Sequence, residues 1–486
     1  MNRPLRRVAL AVMVLFGALL VNVNYIHVVK AGEYRDDPRN SRVLLRTYDR
    51  ERGPISVQAG GEQVRVAFSQ ETDGRLRFLR QYPNGPSYAH VAGFVSLVYG
   101  TPQGVERSED AILSGNDDRL FVSRLSDYVT GREPAGGSVV LTVNPAAQEA
   151  AVAGLGGRRG AVVALDPKTG AVLAMVSAPS FDPARLSSHD PADVRAYYAE
   201  LEAAEGNPLV NRAISSRYPP GSTFKVITAA AALESGQVTT ETRIPSPRVL
   251  DLPQTTATLP NFGGGACTGE TSTLIEAMEI SCNTAFGSIG LQVPDQLRET
   301  AQDFGFGEEG LEVPTRVATS VYPDQTNPPQ AAQSAIGQFD VAATPLQMAL
   351  VAAGIGNGGS IMRPYLVREV QAPDLSRISL AEPEQWRQAT SPEIAAQVTQ
   401  MMEAVVAGPR ATGRAAAVPG VRVAGKTGTA QHAPGQPPHA WFIGFAPADD
   451  PQVAVAVVVE SGGQEATGGR VAAPIAGDVM RAVLGR

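Results

Sequence analysis

Ser222 and Lys225 are the residues of this chain whose types and spacing most directly suggest chemistry. They lie in Arg217-Tyr218-Pro219-Pro220-Gly221-Ser222-Thr223-Phe224-Lys225, where Pro219, Pro220 and Gly221 form a turn that cannot be helical. The apolar run that follows, through Leu233, predicts a helix starting at the serine. One helical turn apart, the two side chains point the same way. A serine hydroxyl is a poor nucleophile until a neighbouring base takes its proton, and a lysine shielded from water can offer a neutral amine. As plain structure, a serine at a helix start is an N-cap. Lysine usage weighs against that plain reading: of 41 basic residues only Lys30, Lys168, Lys225 and Lys426 are lysines. Where a permanent cation suffices the chain carries arginine, which does not give up its proton.

Two further stretches carry comparable groups. Ile280-Ser281-Cys282-Asn283-Thr284 closes a predicted amphipathic helix over residues 274–280 with a hydroxyl and a carboxamide two residues apart. Alone it reads equally as helix capping. Gly425-Lys426-Thr427-Gly428-Thr429-Ala430 follows a predicted strand over residues 421–425 and sets the last lysine beside two hydroxyls. Lys168-Thr169-Gly170 repeats three of those letters, but after Asp166-Pro167, where a hairpin turn accounts for it.

The elements that must position these residues follow from periodicity and punctuation. Strands are predicted over 139–143, 160–165, 171–177, 440–444 and 453–460, and helices over 145–155, 191–204, 222–233, 345–353, 394–406 and 473–484. Strands at both ends with helices between imply one α/β or α+β domain with a mixed or antiparallel sheet. Upstream, residues 31–137 alternate short apolar runs with Gly, Pro and charged clusters and offer no chemical constellation, so they read as a structural or interaction module. Strands are expected there at 64–68 and 76–79, and residues 130–137 read as a linker.

Composition excludes several functions. A net charge of -7 and the absence of a basic face argue against a nucleic-acid partner. The five histidines, at 27, 90, 189, 432 and 439, have no metal-ligand spacing, so neither a metal nor another cofactor is expected. Arg3, Arg6 and Arg7 precede an uncharged apolar stretch from Val8 to Val29, long enough to span a bilayer and followed by no small-x-small cleavage site. The expected reading is an uncleaved signal anchor with a cytoplasmic N-terminus, the chain from about residue 31 lying outside the membrane. A cleaved signal peptide is the alternative. Cys267 and Cys282 suit an oxidising compartment; paired, they would close a loop worth about 3 kcal/mol, and unpaired they are two free thiols.

Taken together and in this order, Ser222-x-x-Lys225, Ser281-x-Asn283 and Lys426-Thr427-Gly428 resemble the three motifs of the penicillin-recognising serine enzymes. More closely, the chain resembles the class B penicillin-binding proteins, and among them the actinobacterial penicillin-binding protein A group. Supporting stretches are Gly160-Ala-Val-Val-Ala-Leu-Asp-Pro, Val172-Leu-Ala-Met-Val-Ser-Ala-Pro, Asn211-Arg-Ala, Gly337-Gln and Gly425-Lys-Thr-Gly-Thr-Ala-Gln. Upstream, Arg52-Gly53-Pro-Ile55 and, more loosely, residues 106–115 resemble the class B non-catalytic module. The middle motif departs from the commoner Ser-Asp-Asn by carrying Cys282, a side chain with no assigned role.

The resemblance implies the serine transpeptidase fold, a mainly antiparallel central sheet flanked by helices, over residues 138–486. A non-catalytic, dimerisation- or pedestal-like module over 31–137 and a cytoplasmic tip with an anchor over 1–30 would precede it. It implies a peptidoglycan D,D-transpeptidase that cross-links stem peptides through an acyl-enzyme, releases terminal D-alanine and is inhibited by β-lactams. In that reading Ser222 is the nucleophile and Lys225 the base, alone or through Ser281. Ser281, between Lys225 and Lys426, carries the proton to the leaving amine. Asn283 holds the donor's side-chain amide, Lys426, Thr427 and Thr429 face its carboxylate, and Gly428 lies on the strand that pairs with it. The backbone N–H groups of Ser222 and Thr429 form the oxyanion hole. The Gly/Pro-rich residues 431–439 border the cleft, with His432 and His439 as bystanders. The family also implies a membrane glycan polymerase or division-complex partner.

The rivals are weighed by what they would need. A β-lactamase needs a Glu-x-x-Leu-Asn element after the serine helix, which is not found. A D,D-carboxypeptidase differs only in using water as acceptor and stays open. A penicillin sensor would be expected to carry a cytoplasmic signalling domain, yet seven residues precede the apolar run; an inert scaffold retaining the fold stays an alternative. A bifunctional polymerase would need a larger domain than the 107 residues of 31–137 can supply.

Overall fold

The computed structural model describes residues 2–30, 48–131, 133–432, 435–463 and 466–486. Val453–Val459, seven consecutive apolar residues buried on both faces, forms the middle of a five-stranded sheet. The order across it is Ala424–Ala430, His439–Ala446, Val453–Val459, Gly160–Leu165 and Val172–Ala178, with every neighbouring pair antiparallel. The sequence therefore folds its two ends together: the 160–178 hairpin completes a sheet whose other three strands lie beyond residue 423.

Helices cover both faces. Pro145–Leu155 and Ala473–Leu484 share one side, where Ala151, Leu155, Ile475 and Val479 pack on Val162, Val455 and Val457. Their approach is close, since a Cβ on Gly154 would fall 2.7 Å from Ile475 Cγ2. On the other side Pro345–Gly356 and Lys225–Glu234, apolar nearly all round, form the centre of the larger core. The starts of three helices are capped by side chains. Asn144 accepts the Ala147 N–H at 3.1 Å, Thr344 accepts Gln347 N–H at 3.1 Å, and Ser391 accepts Ile394 N–H at 3.3 Å, each followed by proline at the first helical position.

Two expectations are corrected here. The strand predicted over 421–425 begins at Ala424 and runs to Ala430, so the Lys-Thr-Gly motif lies within the strand and does not follow it. Its glycines serve packing: a Cβ at Gly425 would meet Phe442 Cζ at 2.3 Å, and one at Gly428 would meet Trp441 Cβ and Thr223 Cγ2 at 2.9 Å. Residues 130–137 are not a free linker in their described part. Gly136 N–H donates to Glu51 O at 2.8 Å and Gly137 N–H to Ile112 O at 2.9 Å, and a Cβ on Gly53 would lie 1.8 Å from Gly137 O. Arg132 lies outside the described residues, as do residues 31–47 of the upstream module.

The upstream module has strands at Ile55–Ala59, Glu62–Glu71 and Phe78–Gln81. They continue into Ser138–Leu141, Val367–Gln371 and Arg377–Leu380 as one six-stranded sheet, Ser138–Leu141 pairing parallel with Ile55–Ala59 and antiparallel with Val367–Gln371. Beneath it Glu106, fully buried, is gripped by Arg52 Nε at 2.6 Å and Arg80 Nε at 2.7 Å and accepts the Tyr82 hydroxyl at 3.1 Å. Burial pushes this carboxyl up, and the two guanidiniums more than reverse it, holding it below the usual carboxylate range. At the N-terminus Arg3–Val29 is a helix long and apolar enough to cross a membrane.

Candidate active site

The turn before Ser222 is clamped from two sides. Gly221 has φ 54°, its N–H donates to Gly337 O at 2.9 Å, and a Cβ on Gly337, itself at φ 70°, would sit 2.3 Å from Gly221 O. On the opposite flank a Cβ at Gly221 would meet Ala430 Cβ at 3.0 Å, and Trp441 Nε1 donates to Pro219 O at 3.1 Å. The helix opens with a tight 3-10 turn, Gly221–Phe224, and is α-helical from Lys225. Ser222 is thus inside the turn, and the plain N-cap reading weighed against its chemistry does not hold; the hydroxyl that bonds back is that of Thr223, to Pro220 O at 2.7 Å. The Ser222 side chain lines the cleft.

Lys225, with 0% exposure, donates from Nζ to Ser281 O at 2.7 Å, to Asn283 Oδ1 at 2.8 Å and to Ser281 Oγ at 3.3 Å. Lys426, also with 0% exposure, reaches Ser281 Oγ at 2.8 Å and Thr427 O at 3.0 Å from the facing strand. Burial, and after it the charge of Lys426, holds the Lys225 amine well below the ordinary lysine range. Burial alone brings Lys426 down to about 7. No carboxylate contributes to either shift. Two amines that surrender protons readily therefore flank one hydroxyl.

The helix predicted over 274–280 is Leu274–Glu279, and Ser281 follows its end; a second helix, from Asn283, is not among those the sequence predicts. Ser281 connects Leu274–Glu279 to Asn283–Gln292 with a positive φ of 61°, a costly conformation for a non-glycine residue that aims its side chain between the lysines. Asn283 opens the second helix; its Oδ1 faces Lys225 and its Nδ2 donates to Pro260 O at 3.1 Å. Cys282 and Cys267 are joined as a disulfide, Cα to Cα 5.8 Å, which ties this connection to the loop before residue 271. Thr427, Gly428 and Thr429 follow Lys426 along the outermost strand of the sheet, which lines one wall and pairs with no further strand among the described residues. Thus Ser222, Ser281, Asn283, Thr427, Gly428 and Thr429 line one cleft of about 870 Å³, with Lys225 and Lys426 buried in its floor.

Gln431 also lines the cleft, while residues 433–434 of its loop lie outside the described residues. His439 is buried, stacked on His432 at 4.0 Å, accepts the Ser461 N–H at 3.1 Å, and is lowered to about 4 chiefly by burial. Neither histidine lines the cleft.

Sequence reasoning missed Asn261, whose Oδ1 accepts the N–H groups of Asn283 and Thr284 at 2.9 and 3.1 Å. It also missed Thr412, Phe262 and the Thr467-Gly468-Gly469 segment, all at the cleft. These are isolated residues in irregular chain, and the closeness of Gly468 and Gly469, where a Cβ would fall 2.1 Å from Trp441 O and 2.2 Å from Thr412 O, leaves a trace as glycine.

A helix-borne serine and lysine facing a lysine on the edge of an antiparallel sheet is the build of the penicillin-recognising serine enzymes, and this cleft has it. Comparison with known families agrees: residues 160–481 match the penicillin-binding protein transpeptidase domain, and residues 52–139 the penicillin-binding protein A dimerisation domain. The chain belongs to the penicillin-binding protein transpeptidases. It is 50% identical to the peptidoglycan D,D-transpeptidase PbpA of Mycolicibacterium smegmatis, over 100% of this chain and 99% of that protein. Identity to PbpA of Mycobacterium tuberculosis is 47%, with the same coverage. Among solved structures, penicillin-binding protein A of M. tuberculosis as a ceftriaxone acyl-enzyme complex superposes with a TM-score of 0.87 at 46% identity, covering 90% of this chain and 100% of that one. Its penicillin G acyl-enzyme complex gives 0.84 at the same identity and coverage.

Proposed function

We propose that this protein is a peptidoglycan D,D-transpeptidase, working through an acyl-enzyme on Ser222. The observation that carries the assignment of roles is the convergence of two depressed lysine amines on Ser281 Oγ at the floor of the cleft. Lys225, directly or through Ser281, takes the Ser222 proton as Oγ attacks the carbonyl between the two terminal D-alanines of a donor stem. The tetrahedral oxyanion is held by the N–H groups of Ser222 and Thr429. Ser281 passes a proton to the departing amine, the C–N bond breaks, and D-alanine leaves. An amine from a second stem then attacks the ester, forms the cross-linking amide and returns Ser222 Oγ its proton. The donor lies along the Ala424–Ala430 edge as an added strand, its side-chain amide at Asn283 and its carboxylate at Thr427 and Thr429. A β-lactam enters as the donor does and stays as the acyl group.

The helix at Arg3–Val29 supports a single-pass anchor, with Arg3, Arg6 and Arg7 on the cytoplasmic side and the catalytic chain outside. Residues 1–30, 31–137 and 138–486 are then anchor, non-catalytic module and transpeptidase domain. A membrane glycan polymerase supplying the uncross-linked strand is the partner this activity requires. Labelling with a fluorescent penicillin tests the site: the wild-type chain is labelled and Ser222→Ala is not, whereas retained labelling would remove Ser222 from its role.

A further inference from the structure

Thr412 stands at the mouth of the cleft, on the loop after the Pro392–Ala407 helix, and three segments meet on it. Its Oγ1 is 3.0 Å from Thr427 Oγ1 and 3.3 Å from the Glu279 carbonyl oxygen, and its own carbonyl oxygen lies 2.2 Å from where a Cβ on Gly469 would be. Glu279 holds the loop from beneath. Nearly buried, it accepts the Arg410 N–H on Oε1 at 2.6 Å, and a Cβ on Gly408 would approach that same oxygen to 2.5 Å. Neither Thr412 nor Glu279 belongs to the three motifs.

A threonine hydroxyl has one proton to give. If Thr427 gave its proton to Thr412, it would present only lone pairs to the cleft, and those cannot bond a carboxylate. Thr412 has two acceptors in reach, and Thr427 Oγ1 is the nearer. Once Thr427 accepts there, its own proton must point elsewhere, and the open side is the cleft. We propose that Thr412 is a positioning residue for donor recognition: by donating to Thr427 Oγ1 it commits the Thr427 proton to the terminal carboxylate of the incoming donor. A hydroxyl that already accepts a hydrogen bond is also a stronger donor. The grip of Glu279 on residues 408–410 fixes the loop, so the Thr412 hydroxyl is held beside Thr427 before the donor arrives. The inference rests on reading the cleft as a D-alanyl-D-alanine donor site.

The test is acyl-enzyme formation by the full chain with two thioester donors, identical except that the leaving group ends in a carboxylate or in a carboxamide. In Thr412→Val the carboxylate donor is expected to lose about tenfold in acylation rate while the carboxamide donor changes by less than about twofold, the loss of one hydrogen bond to a charged group. The carboxamide rate also reports that the variant is folded. Thr412→Ser, which keeps the hydroxyl, is expected to restore the carboxylate rate. Equal losses with both donors would make Thr412 a mere prop of the wall, and no loss with either would show Thr427 oriented without it; each outcome overturns the proposal. A wild-type chain that forms no acyl-enzyme with either donor would overturn the Ser222 assignment beneath it.

Discussion

Lys225 and Lys426, from a helix and a strand on facing walls, donate to the same oxygen, Ser281 Oγ, at 3.3 and 2.8 Å. Each is fully buried, and the charge of Lys426 is one of the two causes that lower Lys225. Their protons are therefore linked, and the linkage has a measurable sign. Removing a like charge lets the remaining amine hold its proton longer. In Lys426→Met the rising limb of the pH profile for β-lactam acylation should move to higher pH, read on the residual rate. A limb that stays in place would mean that Lys225 does not sense its neighbour.

The same burial makes Lys426 a liability to the fold. Burial brings its amine down to about 7 from the ordinary lysine value of 10.5, so the unfolded chain holds the proton more tightly. The penalty is full below pH about 7 and fades as the pH rises toward 10.5. Chemical denaturation of Lys426→Met should show it more stable than wild type by about 1–2 kcal/mol at pH 6, with the gap closing at alkaline pH. A gap independent of pH would assign the gain to packing alone.

Lys225→Arg keeps a cation in the same helix but cannot take a proton. Acylation by a penicillin is expected to fall by about 3 orders of magnitude or more, as when a general base is lost. Near-normal acylation would hand that role to another group.

Gly337→Ala probes the turn. At φ 70° and with Gly221 O 2.3 Å from the new Cβ, the alanine must displace the backbone that presents Ser222. Loss of about 2–3 kcal/mol of stability and slower acylation are expected together. An active variant of unchanged stability would show that this contact is not needed.

The bridge between Cys267 and Cys282 encloses a sequence separation of 15 residues. Replacing both by alanine should cost about 2–3 kcal/mol, and thiol titration of the denatured, unreduced chain should find no free thiol. Two titratable thiols would break the tie between the Ser281 connection and its neighbouring loop.

Much of this was legible because the punctuation is local. Pro145–Leu155 has its Asn144 cap, its proline and Gly156 at the far end, and the sequence reading matches its bounds. The Lys426 strand was placed too early because Gly425 and Gly428 interrupt its apolar run, although the Phe442 ring and the close approach of Trp441 Cβ and Thr223 Cγ2 are what require them. Ser222, Lys225, Ser281 and Lys426 stand out through residue type and order, whereas the positive φ of Ser281 cannot be read from a serine. Asn261, Glu279 and Thr412 were illegible: each is an ordinary polar residue until tertiary packing brings it to the cleft.

The Ser138–Leu141 strand, shared between Ile55–Ala59 and Val367–Gln371, also bears on how this protein can be cut. A fragment beginning at residue 138 would lose the ladder from Ile55, Ser56 and Val57 and leave one whole side of Val139, Val140 and Leu141 bare. Such an apolar, unpaired flank recruits strands from other molecules. The upstream residues thus act as a built-in cover for the enzyme they precede, and a catalytic fragment made without them should be judged first by its solubility.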